Sequence, residues 1–545
     1  MMTSKHWVDI LAEELAGKLA ERKKEVYIFN GGLSVSGVQH IGRLRGEIIL
    51  PEVLRRTLES KGFKVKQLLT LYTQDAWKGK KPQLEAFDNP QEARRYKGWP
   101  LIKVPDPRGC HNNWVEHYWS DFGPYIKEFT DGKVEVVTTT ELYNGKMKEF
   151  VLETLQKREQ VRKIINRYRG RNKYPEGWIP FEPICSNCGR IDRTVAVAYD
   201  EIRGLIEYYC RACNHRGKAR LEEGKLNWRI EWTGVWKVLE VDFEPYGKDH
   251  ATPGGSRDSC KELAAIVYKF NPPEGEWYEW VSLRIGGKEA DMTSSGFVGI
   301  TPKEWLDIAH PQILRFIYVS TNPKRRVVID LQEIPRYYND YYRAERVYFG
   351  LESTGNEGGD GVLARSYELS HPDRPPEKMP IQIPYLHVAL LVQNLPRDNI
   401  FEHALLRLKR TSHVSELGDY SKAWLAGLVV KALNWVDTYA PESLKFKVPR
   451  EPPMEVYKEV KHRSELRVLA EKLARLESWD EGAIKEAMIE VGGEMSSNVR
   501  REFYKDFYLA ILGKPQGPRA APLLSVLDKE MVIDRLKLAA RGEEQ

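Results

Sequence analysis

The sequence predicts an α/β protein with a doubly wound parallel sheet in its first part and a largely helical second part. Two short apolar runs, 26–30 and 63–71, are typical of buried parallel strands. A small-residue loop at 31–37 and a helical pattern from His40 lie between them and complete a strand–helix–strand unit. From Pro302 onward, helical patterns dominate.

Further segments fill in this outline. An amphipathic, charged helix is expected at the N-terminus, and the sheet pattern resumes at 236–246 and 277–285. Segment 146–176 carries ten Lys/Arg against four Glu and reads as one basic helix, suited either to nucleic-acid phosphates or to solvent. The Gly-rich stretch 353–361 is expected to be a linker.

Bulk properties narrow the class of protein. A chain of 545 residues is too long for one hydrophobic core, so several packed units are expected. The net charge of +6 is compatible with a polyanionic partner without requiring one. No apolar run is long enough to span a membrane, and the N-terminal segment lacks the apolar centre of a signal peptide. We therefore expect a cytoplasmic protein with no membrane partner.

The loop at 31–37 has the composition of a phosphate-binding turn. Glycine and serine between a buried strand and a helix let backbone N–H groups approach phosphate oxygens closely. His40, at the start of the helix, is suited to donate a hydrogen bond to a phosphate that gains charge, and Gly42 leaves room for an adenine ring. Taken alone, the same pattern also fits a plain strand–helix connection.

A second loop at 290–296 is rich in hydroxyl groups and precedes a helix start at Thr301-Pro302. It is suited to close over a triphosphate, and it also fits a polar surface turn. Its interest lies in its pairing with the first loop across one sheet.

Four of the six cysteines form two close pairs with zinc-ribbon spacing. Cys185 and Cys188 are separated from Cys210 and Cys213 by 21 residues. Two such knuckles present four thiolates tetrahedrally, which predicts a structural Zn²⁺ with no open catalytic position. A ribbon that has lost its metal is the alternative. The other two cysteines, 110 and 260, are expected to be buried thiols.

These motifs, in this order, resemble the class I lysyl-tRNA synthetases of archaea and some bacteria. The match covers about residues 5–350, with a weaker helical match beyond. SVSGVQHIG (34–42) looks like the family's first signature, T-P-S-G-x-x-H-x-G, and MTSSG (292–296) stands where the second, K-M-S-x-S, is expected. Similar segments between them are PDPRGCH (105–111) with Glu116-His117, the four cysteines, KLNWRIEWTGVW (225–236) and FEPYGKDH (243–250).

The departures from the signatures concern mainly charge. Val35 replaces the usual proline, and Arg43 follows where the first signature ends. In the second signature Asp291 replaces the leading lysine, Thr293 replaces serine, and no lysine occurs at 294–297. Such lysines normally neutralise the triphosphate, so Lys288 and Arg284 are considered as substitutes.

The resemblance implies ATP-dependent attachment of L-lysine to tRNA(Lys) through a lysyl-adenylate, with release of AMP and pyrophosphate. It implies ATP with Mg²⁺, a structural Zn²⁺, and lysine and tRNA(Lys) as partners. The sequence leaves the oligomeric state open, and a monomer is favoured. The residues expected in catalysis are His40, Gly42, Ser294 and Ser295. The residues expected to bind ATP are Ser34, Ser36, Gly37, His40, Gly42, Asp249, His250, Met292, Thr293, Ser294 and Ser295.

The amino-acid pocket is expected around a helix that presents aromatic rings. Trp228, Trp232 and Trp236 recur every four residues, so they share one helix face and are suited to core packing or to a wall against the lysine stem. Glu231 or Asp249 is expected to pair with the ammonium group. The residues expected in this pocket are Gly32, Trp228, Glu231, Trp232, Asp249, His250 and Tyr278.

The resemblance also suggests a domain order. A Rossmann-type catalytic domain is expected in two halves, 1–115 and 226–300, separated by an inserted zinc-ribbon region, 116–225. A stem-contact-type connecting subdomain, 301–361, and an α-helical anticodon-binding region, 362–545, are expected to follow. A glutamate-type class I synthetase and a non-catalytic tRNA-binding paralogue are the competing interpretations.

Overall fold

The computed structural model describes residues 5–411, 414, 416–493 and 495–541. They form two compact units. The first comprises Met1–Trp305, Pro311–Ile329 and Gly350–Pro375, and the second comprises Leu306–His310, Asp330–Phe349 and Pro376–Gln545.

The strands fall into five sheets. They are β1 (Tyr27–Leu33), β2 (Val65–Leu71), β3 (Val134–Thr138), β4 (Phe181–Pro183), β5 (Thr194–Asp200), β6 (Leu205–Cys210), β7 (Arg216–Ala219), β8 (Gly224–Leu226), β9 (Val241–Phe243), β10 (Tyr246–Gly247), β11 (Trp277–Tyr278), β12 (Val281–Ile285), β13 (Lys288–Asp291) and β14 (Val327–Asp330).

The α-helices are α1 (Trp7–Arg22), α2 (Gly42–Leu44), α3 (Leu50–Glu59), α4 (Lys81–Glu85), α5 (Pro90–Ala93), α6 (Trp114–Trp119), α7 (Thr139–Asn144), α8 (Met147–Gln156), α9 (Arg158–Arg167), α10 (Trp228–Val238), α11 (Ser256–Glu262), α12 (Pro302–Ile308), α13 (Pro311–Val319), α14 (Ile334–Tyr348), α15 (Glu357–Ser370), α16 (Tyr385–Leu391), α17 (Ile400–Arg410), α18 (Asp419–Thr438), α19 (Arg463–Ala474), α20 (Glu481–Gly492), α21 (Ser497–Leu512), α22 (Ala520–Ser525) and α23 (Lys529–Arg541).

The predicted doubly wound α/β fold is confirmed by the central sheet. Its four parallel strands lie in the order β3-β2-β1-β9, so the chain moves outward from β1 through β2 to β3 and then returns to the other side of β1. Ligands of such sheets bind at the carboxyl ends of the strands, where the direction of winding reverses. That point is the end of β1, which the first loop follows.

The helical segment after the first loop contains a π-helical turn. Arg45–Ile49 forms this turn between α2 and α3, and all five of its residues are buried. A π turn inserts an extra residue into an α-helix and is frequent at functional sites. Its second and third residues, Gly46 and Glu47, both contact β11. The Glu47 carboxylate also accepts a hydrogen bond from the carboxyl end of β1.

The inserted region contains the ribbon and a helical support. β5, β6 and β7 form an antiparallel sheet, and β4 and β8 pair in a separate two-stranded antiparallel sheet. The predicted single basic helix at 146–176 is wrong, because the structure has two helices, α8 and α9, that meet at Lys157. Phe150, Val151, Ile164 and other apolar residues of these helices are buried in one core cluster.

Two other local predictions need correction. Residues 236–238 complete α10 rather than starting a strand, and the stretch contains two short strands, β9 (Val241–Phe243) and the start of β10 (Tyr246–Gly247). The expected linker at 353–361 becomes helical from Glu357, because the Asn356 side chain caps α15 by accepting the N–H groups of Gly358 and Gly359. The predicted N-terminal helix is confirmed as α1.

The second unit is largely helical, as predicted, and contains α14 and α16 to α23. Across the described residues, none of the helices has the length and apolar character needed to cross a bilayer.

Candidate active site

The first loop leads from the carboxyl end of β1 into the helix and buries its histidine. His40 is only 5% exposed, and its Nδ1 atom has no hydrogen-bond partner among the described residues. Burial, assisted by the positive charge of Arg43, lowers the pKa of His40 to about 3. The imidazole is therefore neutral near pH 7, so it can donate or accept a hydrogen bond without carrying charge.

The second loop is a closed turn between β13 and α12. Thr293 and Val298 exchange two backbone hydrogen bonds, which close the turn, and Phe297 takes a positive φ of 58° inside it. The Phe297 ring lies 5.3 Å from the ring of Tyr118 and 6.4 Å from that of Trp114. Ser294 is 3% exposed, and its Oγ atom has no partner among the described residues.

The two loops lie against each other. A Cβ atom on Gly37 would clash with the Ser294 carbonyl oxygen, and one on Gly299 would lie 2.6 Å from the His40 Cβ atom. The Ile41 N–H also donates to the Ile300 carbonyl oxygen at 2.8 Å. Glycine is required at positions 37 and 299 because the two backbones approach this closely.

Glu47 lies buried at the wall of the cavity beneath the first loop. Its carboxylate accepts hydrogen bonds from the Tyr278 hydroxyl and from the Gly32 N–H, the latter at 2.9 Å. Glu47 is 6% exposed, and among the described residues it forms no ion pair. Burial raises the pKa of Glu47 to about 7, because the loss of water around the carboxylate outweighs the hydrogen bonds from Tyr278 and Gly32 and the positive charge of Arg43.

A second buried carboxylate, Glu244, is already surrounded by donors. It accepts from Asn30 Nδ2 at 2.7 Å, from Trp236 Nε1 at 3.2 Å and from Trp232 Nε1. The guanidinium of Arg257 stabilises its charged form. Of these two acidic side chains, Glu47 is the one with unused acceptor capacity.

The aromatic wall predicted on α10 is present in part. Trp228 and Trp232 line the cavity, with ring centroids 5.9 Å and 5.2 Å from the imidazole of His250. Trp236 is fully buried behind them and is a core residue. The His250 ring is fixed by a 2.7 Å hydrogen bond between its Nδ1 and Ser256 Oγ.

A buried lysine holds the neighbouring carboxylates. Lys225 Nζ lies 2.6 Å from Asp75 Oδ1 and 2.8 Å from Glu231 Oε2. Burial alone would lower the pKa of Lys225, but the carboxylates of Asp75, Glu231 and Glu182 raise it above its usual value. Glu231, one of the two predicted partners for an ammonium, is thus already paired within the protein.

These elements surround one cavity of about 930 Å³. The substrate-contacting residues predicted from the sequence all line it except Gly37, which packs against the second loop. Those that line it are Gly32, Ser34, Ser36, His40, Gly42, Trp228, Glu231, Trp232, Asp249, His250, Tyr278, Met292, Thr293, Ser294 and Ser295.

Comparison with known proteins relates this arrangement to a family. A family described as tRNA synthetases class I (K) matches residues 5–373, and an anticodon binding domain matches residues 441–540. The chain belongs to the class I (K) tRNA synthetase family.

Related proteins match this chain over nearly its whole length. The lysine–tRNA ligase of Aeropyrum pernix is 58% identical over 98% of both chains. That of Methanocaldococcus jannaschii is 32% identical over 98% of this chain and 99% of its own. Among solved structures, a glutamate tRNA ligase from Elizabethkingia meningosepticum covers 94% of this chain and 99% of its own at 11% identity. The TM-score of this match is 0.36.

The four paired cysteines of this synthetase converge as their spacing predicts. Cys185 Sγ lies 3.6 Å from Cys213 Sγ, and Cys188 Sγ lies 3.7 Å from Cys210 Sγ. All four sulfur atoms lie within 4.8 Å of one another. A tetrahedral Zn²⁺ with bonds of about 2.3 Å needs sulfur atoms about 3.8 Å apart, so the geometry fits zinc.

A second group of possible metal ligands lies outside the ribbon. One ligand atom from each of Asp106, Cys110, His111 and His117 lies within 4.8 Å of the others. The sequence-based expectation that Cys110 is a buried thiol is wrong, since Cys110 is exposed, whereas Cys260 is buried as predicted. The spacing of one acid, one thiol and two imidazoles within twelve residues was an available signal for this group.

Other cavity residues were missed or assigned elsewhere. Glu47 was missed because a single glutamate in a helical pattern gives no local signal that it lies in a cavity. Lys78 and Lys97 line the cavity but were not assigned to a site from the sequence. The two proposed substitutes for the missing signature lysines, Arg284 and Lys288, lie on the β12–β13 hairpin and do not line the cavity.

Proposed function

We propose that this class I synthetase attaches L-lysine to tRNA(Lys) in two steps, through a lysyl-adenylate. The names of its relatives, which are lysine–tRNA ligases over their full length, support this assignment. The structural observation that supports it is Glu47, a buried carboxylate in the wall of the cavity that has hydrogen-bond donors and, among the described residues, no ion-pair partner. A substrate ammonium would supply the missing charge.

The lysine side chain is proposed to lie along Trp232 and Trp228 with its ammonium at Glu47. Tyr278 and the Gly32 N–H hold the carboxylate in place, so the ammonium meets an acceptor of fixed position. A site built around an unpaired buried carboxylate rejects neutral side chains, because they leave that charge without a partner. Asp249, the other predicted partner, lines the cavity but is more than half exposed, which makes it a weaker site for discrimination.

The first step is proposed to be an in-line attack on ATP. A carboxylate oxygen of lysine forms a bond to the α-phosphorus, and the bond from that phosphorus to the bridging oxygen breaks. The electron pair leaves with pyrophosphate. Neutral His40, through Nδ1, and the Ser294 hydroxyl have no hydrogen-bond partner at these atoms among the described residues, and both are suited to donate to the phosphate oxygens. Mg²⁺ is expected to enter as a complex with ATP, whose phosphates provide its ligands.

The second step transfers the lysyl group to tRNA. A ribose hydroxyl of the terminal adenosine attacks the acyl carbon, AMP leaves, and the hydroxyl proton passes to the released phosphate or to water. No covalent enzyme intermediate is required, so the chain acts by positioning and by electrostatics. The predicted domain limits, including an anticodon-binding region at 362–545, remain proposals, and the match at 441–540 supports that region.

The ribbon is proposed to hold a structural Zn²⁺ through Cys185, Cys188, Cys210 and Cys213. The sulfur spacing supports this, and the closed set of four thiolates would supply a cross-link without catalytic chemistry. A cytoplasmic, monomeric enzyme remains our expectation.

Lysine-dependent exchange between ATP and labelled pyrophosphate tests the proposed function. Exchange is expected with lysine and not with glutamate, followed by lysylation of tRNA(Lys) and not of other tRNAs. Exchange with glutamate alone would instead identify a glutamate-type synthetase. Intact tRNA binding without exchange for any amino acid would identify a non-catalytic paralogue.

A further inference from the structure

A lysine-rich segment outside both signatures connects the two loops of the cavity. In the segment 77–83, WKGKKPQ, the Gln83 side chain donates to the Ser36 carbonyl oxygen of the first loop at 2.8 Å. The same side chain accepts the Lys80 N–H at 2.8 Å, and Lys80 Nζ donates to Ser295 Oγ of the second loop at 2.8 Å. One short segment is therefore bonded to both loops at once.

Aromatic packing fixes the start of this segment. Trp77 is fully buried, with its ring centroid 5.4 Å from that of Trp114 and 6.0 Å from that of Phe87. Trp114 also contacts Phe297 of the second loop. Gly79 takes a positive φ of 61°, which lets the chain turn sharply between the two lysines that flank it. The segment is thus anchored while its ammonium groups stay accessible.

The second loop itself lacks positive charge. Asp291, where a lysine is expected, is held by Arg326 at 2.6 Å and by the Ser282 hydroxyl at 2.7 Å. The lysine and arginine residues that line the cavity are Arg43, Lys78, Lys97 and Lys225, and Lys225 is already paired with Asp75 and Glu231. Lys80 lies outside that lining, and its ammonium reaches the second loop at Ser295. Within the described part of the chain, neither Lys78 nor Lys80 forms an ion pair, so their charge is uncommitted.

We propose that Lys80, supported by Lys78, neutralises the β- and γ-phosphates of ATP in place of the lysines that the second loop lacks. This inference rests on the proposed adenylate-forming function. An ammonium has three N–H donors, and Ser295 Oγ engages one of them, so two remain for phosphate oxygens. As the bond between the α-phosphorus and the bridging oxygen breaks, negative charge accumulates on the departing pyrophosphate, and Lys80 stabilises it there.

The assignment makes a step-specific prediction. Lys80 acts only while pyrophosphate is attached or leaving, so it contributes nothing once the adenylate has formed. Lys80→Ala is expected to lower kcat/KM for ATP in lysine-dependent ATP–pyrophosphate exchange by about 10²-fold. Lys80→Arg, which keeps the charge, is expected to retain most of the activity. The KM for lysine is expected to stay within about twofold, since Lys80 does not approach the ammonium site at Glu47.

Lys81 provides a matched control one residue away. Its side chain is 85% exposed and pairs with Glu85, whereas the ammonium of Lys80 is bonded to Ser295 of the second loop. Lys81→Ala is expected to leave the exchange unchanged. A second measurement isolates the step. Binding of lysyl-sulfamoyl adenosine, which lacks the β- and γ-phosphates, and single-turnover transfer from isolated enzyme-bound lysyl-adenylate to tRNA are both expected to be unaffected by Lys80→Ala.

The outcomes separate this inference from the proposed function. Absence of lysine-dependent exchange in the wild-type protein rejects the function itself. With active wild type, exchange by Lys80→Ala within threefold of normal overturns the role of Lys80. Equal losses in analogue binding and in exchange overturn it too, because they indicate that the lysine merely holds the loops together.

Discussion

The first and second loops face the same cavity, but they obtain their functional groups in different ways. The first carries its own proposed phosphate-binding group, the buried neutral His40, on the element that follows the central strand. The second has a closed backbone turn and a buried Ser294 hydroxyl, and the ammonium bonded to it, that of Lys80, comes from another segment. If the proposed role of Lys80 holds, the shape of this covering loop and the charge beside it are provided by separate parts of the chain.

Removal of the group at the first loop is expected to have the largest effect. His40→Ala is predicted to reduce kcat for lysine-dependent ATP–pyrophosphate exchange by about 10²- to 10³-fold, because a donor aimed at the reacting phosphate is lost. Thermal unfolding within a few degrees of wild type is the control for folding. A near-normal exchange rate would mean that the first loop contributes shape and no hydrogen-bond donor.

The next effect concerns the amino acid rather than ATP. Glu47→Gln is expected to raise the KM for lysine by about 30-fold, since the ammonium loses its charged acceptor. Asp249→Asn is the matched control at the same cavity and is expected to change this KM by less than threefold. If Asp249→Asn raised the KM for lysine more than Glu47→Gln did, the ammonium would be assigned to Asp249, and the assignment to Glu47 would be contradicted.

The same carboxylate predicts a dependence on pH. Burial raises the pKa of Glu47 to about 7, and a proton competes with the lysine ammonium for the ionised form. The KM for lysine is therefore expected to rise as pH falls below 7, by up to about tenfold per unit. In Glu47→Gln this rise is expected to disappear, which a pH series of exchange kinetics at saturating ATP would measure. A rise that persists in the variant belongs to another group.

The contact between the loops can be disturbed directly. Gly37→Ala places a methyl group against the Ser294 carbonyl oxygen, so the loops must separate. About a tenfold loss in kcat/KM for ATP is expected from misplaced donors. Gly17→Ala, on α1 where a Cβ meets nothing within 4 Å, is the matched control and is expected to be harmless or slightly stabilising. If the two variants had the same kcat/KM for ATP, the close approach of the two loops would not contribute to activity.

The smallest effect is expected at the second loop itself. Ser294→Ala should lower kcat/KM for ATP only about fivefold, the value of one neutral hydrogen bond. Its free energy of unfolding should not fall, because the variant removes a buried hydroxyl that has no hydrogen-bond partner among the described residues. A clear loss of stability measured in urea would indicate that this hydroxyl is bonded in solution.

Sequence reasoning succeeded where local pattern determines structure. Apolar runs predicted β1 and β2, two cysteine pairs predicted the sulfur cluster, and two loops predicted the cavity. It failed where distant segments meet. Nothing local indicates that Lys225 pairs with Asp75 and Glu231, or that Lys80 reaches Ser295 across more than two hundred residues of chain. Such partnerships depend on how the sheet brings its carboxyl ends together.

The π turn at Arg45–Ile49 has a consequence for insertions and deletions. A π turn holds one residue more than an α turn, so the extra residue is absorbed locally and α3 keeps its orientation relative to the helix before it. Deleting one residue within Arg45–Ile49 would convert the turn into ordinary α-helix and leave the apolar face of α3 in place. The side chains of the turn itself would shift, so Glu47 would lose its bonds to Tyr278 and Gly32, and a protein of normal helical content and stability is expected to bind lysine poorly.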